Sequence, residues 1–197
     1  MNTTHAESFD DHAPRVLAAS HARRVAWKNG LGTTLEIATD ATHVDAPWLW
    51  RLAIADVPKT AAFSQYLRID RAILLLDGAG LALIRDGVSM RVPDRGSALE
   101  FAGEEECIGV PTGVGVRDIN LMMQRDHWRG SLELIAATHE TRGDCVVVHA
   151  IDKAASITMH GRTAITLARG ETFIGAGVVR IECQVHARAA IASLIRK

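Results

Sequence analysis

The segment that decides the fold is AILLLDGAGLALIRDGVSMRVPDRGSALEFAG, residues 72–103. Short apolar runs alternate here with Gly-containing turns, at Asp77-Gly78 and at Asp86-Gly87. An Asp-Gly pair between two strand-like runs is a strong signal for a type I′ hairpin turn, because glycine accepts a positive φ without steric cost. The segment therefore predicts antiparallel strands joined by tight turns.

The same pattern continues on both sides of this segment. Gly and Pro interrupt short β-type runs from about residue 24 onward, and stretches with a helical period are scarce. Downstream strands are predicted at 131–137, 145–151, 163–168, 171–174, 178–182 and 189–195. The chain is therefore predicted to be all-β, with two packed antiparallel barrel or sandwich halves and few helices.

The predicted organisation has three parts. Residues 1–22 are polar, lack a clear period and are expected to form a loosely ordered tail. Residues 23–130 form the first β-rich half and residues 131–197 the second, with no linker between them.

Composition excludes several classes of protein. Among 197 residues, 22 Lys and Arg stand against 23 Asp and Glu, so the basic face of a nucleic-acid-binding protein is not expected. No stretch approaches the roughly 18 apolar residues of a membrane span, and the opening MNTTHAESFDD lacks the features of an export signal. Cys107, Cys145 and Cys183 stand too far apart to indicate a disulfide framework, so a cytoplasmic location is expected.

The strand WRLAIADV, residues 50–57, holds the first candidate site residue. Alternation places Arg51 on one face with Ala53 and Ala55. Small neighbours would leave room for a ligand in front of the guanidinium if this face points into a barrel. The alternative is an arginine that faces the surface at the end of its strand.

Other polar motifs favour structural roles. NGLGTT, residues 29–34, matches no phosphate-loop pattern and is followed by a β-branched run, so it predicts a turn into a strand, with Trp27 and Lys28 at a pocket rim. The histidines form no HxH or HExxH pattern, and no GxSxG motif is present. Neither a metal site nor a nucleophile is indicated by these residues.

Four ordered blocks resemble the HutD/Ves family: WKNGLGTTLEI (27–37), WRLAIADV (50–57), FSQYLRIDRAILLLDGAGLAL (63–83) and VRDINLMMQR (116–125). Members usually read WKNGGG, RLSIAxV, FSxFPGxDR and DxNxM. The chain departs from this pattern at Leu31, at Ala53 and over Tyr66-Leu67-Arg68. The resemblance implies a bicupin of two β-barrel halves, and Ala53 removes a hydroxyl that the usual serine would offer.

Metal cupins carry two motifs, and the resemblance allows both to be located here. In the first motif, Arg71 takes the position of the metal-binding glutamate, and the histidine positions fall on Gln65 and Leu67 or on Ser64 and Tyr66. In the second, Val116 takes the position of the histidine. Guanidinium and aliphatic groups do not bind a divalent cation, so we expect a cupin without metal or other cofactor and with a cationic pocket.

Strand alternation places Asp118, Asn120 and Met122 on the face that a cupin turns inward. A buried Asp118 needs a partner, for which Arg51 and Arg71 are the candidates, and the remaining arginine would be available to a carboxylate. We therefore predict a pocket that binds a small acidic metabolite through Arg51 and Arg71, with Asp118, Asn120 and Lys28 at the ligand. The alternative for Arg71 is a structural salt bridge.

The resemblance also implies a function. Relatives are associated with histidine utilisation, whose intermediates include the carboxylates urocanate and N-formylglutamate. The favoured prediction is a metal-independent sensor of such an acid, with no nucleic-acid or membrane partner, and a homodimer is compatible with it. One alternative is a metal-independent isomerase or epimerase in which Tyr66 acts as an acid. Another is an interaction module with a packed interior.

Overall fold

The computed structural model describes residues 13–27, 32–43 and 46–197. Within these ranges the chain forms eighteen strands, and its helical structure is one 3-10 turn at Ala19–His21. The strands are β1 (Arg15–Leu17), β2 (Arg23–Ala26), β3 (Thr33–Thr39), β4 (Trp50–Asp56), β5 (Ala61–Ala62), β6 (Ile69–Asp77), β7 (Gly80–Arg85), β8 (Val88–Arg91), β9 (Gly96–Ser97), β10 (Leu99–Ala102), β11 (Cys107–Thr112), β12 (Arg117–Gln124), β13 (Trp128–Ile135), β14 (His139–Ala150), β15 (Ala155–Met159), β16 (Ile165–Leu167), β17 (Thr172–Cys183) and β18 (Ala189–Arg196). The all-β prediction is confirmed.

The strands form three antiparallel sheets. The largest has the order β16-β15-β17-β14-β18-β13-β9, with β1 paired to β17. A six-stranded sheet has the order β10-β6-β12-β4-β3-β2, and a four-stranded sheet the order β5-β11-β7-β8. The central strands of the six-stranded sheet are the ones that carry the predicted site residues.

Both faces of the six-stranded sheet are packed. One core cluster joins it to the eight-stranded sheet and includes Leu52, Leu74, Leu121, Leu132, Val147 and Leu194. A second cluster joins its opposite face to the four-stranded sheet and includes Ile73, Leu75, Leu81 and Leu83. Strand alternation explains the division, because successive residues of β6 project to opposite faces of the sheet.

The sheets do not close into barrels, so that part of the sequence prediction is not confirmed. Strand β9 belongs to the first predicted half of the chain and β1 to the predicted tail, yet both join the eight-stranded sheet of the second half. Residues 15–17 also differ from the predicted loose tail, because they pair in register with residues 172–174 of β17. Residues 1–12 of that predicted tail lie outside the described residues.

Two further observations concern the cysteines and the search for membrane-spanning helices. Cys107, Cys145 and Cys183 are free thiols, as their spacing indicated. In the described ranges, helical structure of the length and apolar character required to cross a bilayer is absent.

The two Asp-Gly pairs have different roles. Asp86 and Gly87 both have positive φ, 48° and 75°, and connect the paired strands β7 and β8 in a type I′ hairpin, as predicted. Asp77-Gly78 is a turn as well, but it leads from the six-stranded sheet into the four-stranded one. Gly78 has φ +100°, and a Cβ there would lie 2.7 Å from Val116 Cγ2 and 2.8 Å from its Cα.

We expect Gly78→Ala to lower the free energy of unfolding by about 2–4 kcal/mol, since it combines a strained φ with a steric clash. Gly87→Ala is the matched control, because its φ is also positive but a Cβ there meets nothing within 4 Å. The control should lose only about 1 kcal/mol. Urea unfolding of both variants measures the difference. Equal losses of unfolding free energy would show that the clash with Val116 does not contribute to the cost.

Candidate functional site

A cavity of about 50 Å³ lies on the face of the six-stranded sheet that is turned toward the four-stranded sheet. Its lining combines charged, polar and small apolar side chains: Ala26, Trp27, Thr34, Arg51, Ala53, Ala55, Phe63, Ser64, Tyr66, Arg71, Asp118, Asn120 and Met122. The structure thus brings Arg51, Arg71, Asp118, Asn120 and Tyr66 together. Lys28 and Leu31, also named from the sequence, lie outside the described residues.

Strand register sets the spacing within the cavity. Met122 of β12 lies opposite both Arg51 of β4 and Arg71 of β6, so the two arginines flank one position of the central strand. Asp118 lies four residues further along β12, a separation of roughly 13 Å at the usual rise of a strand. The backbone positions of the arginines thus lie at one end of the row and that of Asp118 at the other, yet the Arg71 side chain reaches close enough to interact electrostatically with Asp118.

Arg71 is buried, and its positive charge has no acidic ion-pair partner among the described residues. Its guanidinium carbon lies 5.1 Å from the ring centre of Phe63 and 4.9 Å from that of Phe101. Nη1 donates a hydrogen bond to Ser64 O at 3.3 Å, whereas the buried Nε has no hydrogen-bond partner in residues 13–27, 32–43 and 46–197. Burial lowers the pKa of Arg71 to about 10, and the nearby Asp118 only partly opposes that effect. The side chain remains charged at neutral pH.

Arg51 differs from Arg71, because it has a counter-ion. Its Nε lies 2.9 Å from Glu36 Oε2, and the other oxygen of Glu36 accepts a hydrogen bond of 2.6 Å from Arg23 Nε. The Arg51 Nε–H is not aligned as a hydrogen bond to this carboxylate, so the contact is an ion pair. Among the described residues, no carboxylate other than Glu36 lies within ion-pair distance of Arg51.

Sequence reasoning missed Glu36, although it lies within the quoted segment 27–37. Glu36 lies opposite Ala53 in the β3–β4 pairing, and Ala53 is two residues from Arg51 on the same face of β4. Alternation along β3 could have identified Glu36, because it lies two residues after Thr34 and therefore on the same side of the strand. The β-bulge between Glu36 and Ala38 would still have obscured the register.

Asp118 is buried at 1% exposure, and its Oδ1 has no hydrogen-bond partner in the part of the chain that the structure describes. The expected ion pair between Asp118 and one of the arginines is not formed within the described part of the chain. Arg51 pairs with Glu36, and Arg71 interacts electrostatically with Asp118 without reaching ion-pair distance. Burial raises the pKa of Asp118 to about 7; Arg71 opposes this shift and Asp56 adds to it. The carboxyl group therefore titrates near neutrality.

Unsatisfied polar atoms concentrate at this cavity. Of seven buried side-chain nitrogen and oxygen atoms without a hydrogen-bond partner in the described residues, five belong to its lining: Arg51 Nε, Ser64 Oγ, Arg71 Nε, Asp118 Oδ1 and Asn120 Oδ1. Each such atom costs about 1–3 kcal/mol when it has no partner. A fold keeps this many in one place where water or a polar ligand can bind.

The segment 63–68 forms one wall of the cavity and is anchored by backbone hydrogen bonds. Phe63 N donates to Cys107 O and Tyr66 N to Gly103 O, both at 2.8 Å. Arg68 has φ +61° and forms an ion pair with Asp126. Glycine accepts that φ without strain, which explains why the family pattern has glycine where this chain has arginine.

Trp27 closes the site beside β3. Its Nε1 donates a hydrogen bond of 2.7 Å to Thr34 Oγ1. A Cβ at Gly32 would lie 3.0 Å from the indole ring, so glycine permits the ring to pack on the backbone there. This placement matches the predicted role of Trp27 at the pocket rim.

The donor set at the cavity does not suit a metal ion. The sequence comparison with cupin motifs predicted Arg71 in place of a metal-binding glutamate and Val116 in place of a histidine, and guanidinium and aliphatic groups are not metal ligands. In the parts of the chain that are described, no three His, Cys, Asp or Glu side chains are grouped so that they could hold a metal ion. The cavity is built instead to interact with hydrogen-bonding and charged groups.

Comparisons with known sequences agree with the four motif blocks. The HutD family model matches residues 19–193. An uncharacterised 21.2 kDa protein in the hutC 3′ region of Pseudomonas putida is 31% identical over 150 residues, 75% of this chain and 79% of that protein. Protein Ves of Citrobacter koseri is 28% identical over 123 residues, 59% of this chain and 61% of that protein.

Solved structures show the same fold. A conserved protein of unknown function from Pseudomonas aeruginosa PAO1 has a TM-score of 0.81 at 26% identity, covering 93% of this chain and 99% of that one. HutD from Pseudomonas fluorescens SBW25 has a TM-score of 0.75 at 23% identity, covering 94% and 100%. The bacterial pirin YhhW from Escherichia coli, solved with nickel(II), is a cupin-like neighbour with a TM-score of 0.58 at 7% identity, covering 91% and 98%. This chain belongs to the HutD family, as its motifs, its sequence relatives and its fold together show.

Proposed function

We propose that the protein binds a small carboxylate metabolite in the Arg71 cavity and acts as a sensor or regulator in amino-acid catabolism. The observation that carries the proposal is the charge of Arg71, which is buried, faces the cavity and has no carboxylate within ion-pair distance among the described residues. A buried charge of this kind is stabilised when an opposite charge enters. A ligand carboxylate would supply that charge.

The surroundings of Arg71 favour a planar anion. A guanidinium binds a planar carboxylate through two parallel charge-assisted hydrogen bonds, and the rings of Phe63 and Phe101 pack beside the Arg71 guanidinium. Arg51 adds positive potential that Glu36 partly neutralises. Asn120 and Ser64 offer polar atoms to the rest of the ligand. The proposal thus assigns the ionic contact to Arg71 and an assisting role to Arg51.

Histidine breakdown is the pathway we propose, because one relative is named for its position near hutC and a structural neighbour is named HutD. Urocanate and N-formylglutamate are the candidate acids. The proposal includes a cytoplasmic location, metal-independent binding, the cupin plan of two related halves, and a homodimer as a compatible assembly. Nucleic acid and membrane are not among the proposed partners.

We expect urocanate or N-formylglutamate to raise the melting temperature by about 5–10 °C at a hundredfold excess over Kd, because such occupancy stabilises the folded state by about 2.7 kcal/mol. The corresponding methyl esters are the control, since they keep the shape and lack the negative charge. Differential scanning fluorimetry makes the comparison. Equal shifts with acid and ester, or none with either acid, would contradict carboxylate binding.

A second candidate function has one observation in its favour. Asp118, with a pKa of about 7, and Tyr66 line the same cavity as Arg71, and a group that titrates near the working pH is suited to general acid-base catalysis. In this alternative the protein is a metal-independent isomerase or epimerase. Exchange of deuterium into a bound acid, followed by NMR in D2O and abolished by Tyr66→Phe, would support the enzyme. Binding of the acid without exchange would favour the sensor.

A further inference from the structure

A second, larger cavity of about 450 Å³ lies between β1 and β3. Its apolar lining comes from Leu17, Ile37, Ala38, Ala41 and Ile174, and its polar lining from Arg15, His21, Arg23, Glu36, Thr39, Thr42 and His43. Glu36 is the only acidic residue among the described residues that line it. A space of this size with an apolar floor and a basic rim has the character of a small-molecule site.

Glu36 belongs to the wall between the two cavities. It lines the second cavity itself, and its Oε1 accepts a hydrogen bond of 2.6 Å from Arg23, which lines the same cavity. Its Oε2 lies 2.9 Å from Nε of Arg51, which lines the Arg71 cavity. The Glu36 side chain is 6% exposed, so water screens these contacts weakly. One carboxylate thus serves as counter-ion to an arginine in each cavity.

The three groups carry a net charge of +1. An anion that binds Arg23 in the second cavity neutralises this charge and leaves Glu36 to pair with Arg51 alone. Arg51 then offers less positive potential to an anion in the Arg71 cavity. By linkage the effect is reciprocal, so an anion in the Arg71 cavity weakens binding in the second one by the same factor.

We propose that the second cavity binds a small organic anion with an apolar body, and that Glu36 couples this site to the Arg71 cavity so that the two anions oppose each other's binding. Occupancy of the second cavity is independent of the proposed function, whereas the coupling rests on it. Arg23 is the ionic contact, and Leu17, Ile37 and Ile174 receive the hydrocarbon part. The second cavity would therefore be a regulatory site for the first.

Hexanoate is a suitable probe for the second cavity, because it combines a carboxylate with an unbranched apolar chain. In a protein with labelled methyl groups, we expect hexanoate to shift the resonances of Leu17, Ile37 and Ile174. Met122, which lines the Arg71 cavity, reports on that site in the same spectra. Arg23→Gln should weaken the affinity of the second cavity for hexanoate at least tenfold. Arg180→Gln, the matched control, removes an arginine that pairs with Glu182 on the surface and should leave this affinity unchanged.

The coupling is measured by repeating the hexanoate titration in saturating urocanate. We expect the apparent Kd for hexanoate to rise at least fivefold, the lower end of ordinary coupling. In Glu36→Gln the factor should fall below twofold, because the shared counter-ion is gone. Shifts confined to Met122, or an Arg23→Gln variant that binds hexanoate as well as the wild type, would overturn the second site.

The failure of each proposal has its own signature. If urocanate produces no shift at Met122 while hexanoate still titrates Ile37 and Ile174, the function proposed for the Arg71 cavity is wrong and the second site stands. If both ligands bind with no change in each other's Kd, or with a change that Glu36→Gln preserves, the coupling through Glu36 is wrong. The hexanoate titration and its repetition in urocanate need only wild-type protein, so both can contradict the proposal even if a variant folds poorly.

Discussion

Arg71→Met should abolish binding of a carboxylate ligand and at the same time make the empty protein more stable. We expect a loss of affinity of at least a hundredfold, because the variant lacks the charged donors that the carboxylate would contact. We also expect the free energy of unfolding to rise by about 1–3 kcal/mol, because methionine removes a buried charge at similar volume. A substitution that lowers ligand affinity while it raises stability indicates that the wild-type residue serves binding and not folding.

The reason lies in the surroundings of Arg71. Burial lowers the pKa of this arginine to about 10, which means that the site disfavours its charged form. Contacts with the rings of Phe63 and Phe101 and one hydrogen bond to Ser64 O offset part of that penalty. Methionine can pack between the same two rings without the penalty.

Isothermal titration calorimetry and urea unfolding of the same preparations test both parts of this prediction. Arg180→Met is the matched control, since Arg180 is half exposed and pairs with Glu182 on the surface. The control should change stability by less than about 1 kcal/mol and leave affinity unchanged. A destabilised Arg71→Met that still binds the acid would instead assign Arg71 a structural role, the alternative that the sequence left open.

Local sequence patterns predicted the parts of the fold that depend on neighbouring residues. The Asp86-Gly87 turn follows from glycine chemistry, and the alternation of side chains along a strand placed Arg51 with Ala53 and Asp118 with Asn120 on shared faces. That these faces point inward was implied by the family resemblance, because alternation alone left Arg51 as either an inward or a surface residue. Arg71 was located through the family motif. These features need no knowledge of which strands pair, so a single sequence is sufficient for them.

Features that depend on long-range pairing were not predictable in the same way. Residues 15–17 become a strand only because they pair with residues 172–174 at the far end of the chain. The ion pair between Arg51 and Glu36 requires the β3–β4 register, which a bulge shifts by one residue. Sequence reasoning therefore assigned Asp118 to the arginines, although the actual counter-ion of Arg51 comes from a neighbouring strand.

The consequence for the site is that its charge depends on pH. Glu36 balances Arg51, so the ionisation of Asp118 decides whether the positive charge of Arg71 is opposed within the cavity. Below the pKa of Asp118 the pocket has a net positive charge and a neutral carboxyl group. Above it, the two charges cancel. We expect a simple carboxylate to bind more tightly at pH 6 than at pH 8.

Asp118→Asn should stabilise the empty protein by up to about 4 kcal/mol at pH 8 and by almost nothing at pH 4. The pKa of Asp118 is 3.8 in an exposed setting and about 7 in the folded protein. Between these values the folded state keeps the proton that the unfolded state has lost, so the stability of the wild type falls as the pH rises through this window. Asparagine has the shape of the protonated acid and does not ionise, so the variant is spared this loss.

Urea unfolding at pH 4, 6 and 8 gives the difference in stability between variant and wild type. The pKa of His149, lowered to about 4 by burial, also makes stability depend on pH, but it does so equally in both proteins and cancels in the difference. Asp86→Asn is the matched control, because Asp86 is an exposed turn residue and Asn-Gly is an equally good type I′ turn. As a substitution on the surface, the control should change the free energy of unfolding by less than about 0.5 kcal/mol. If Asp118→Asn stabilises the protein equally at all three pH values, Asp118 does not titrate in this window. The expectation that a carboxylate binds more tightly at pH 6 than at pH 8 would then be wrong as well.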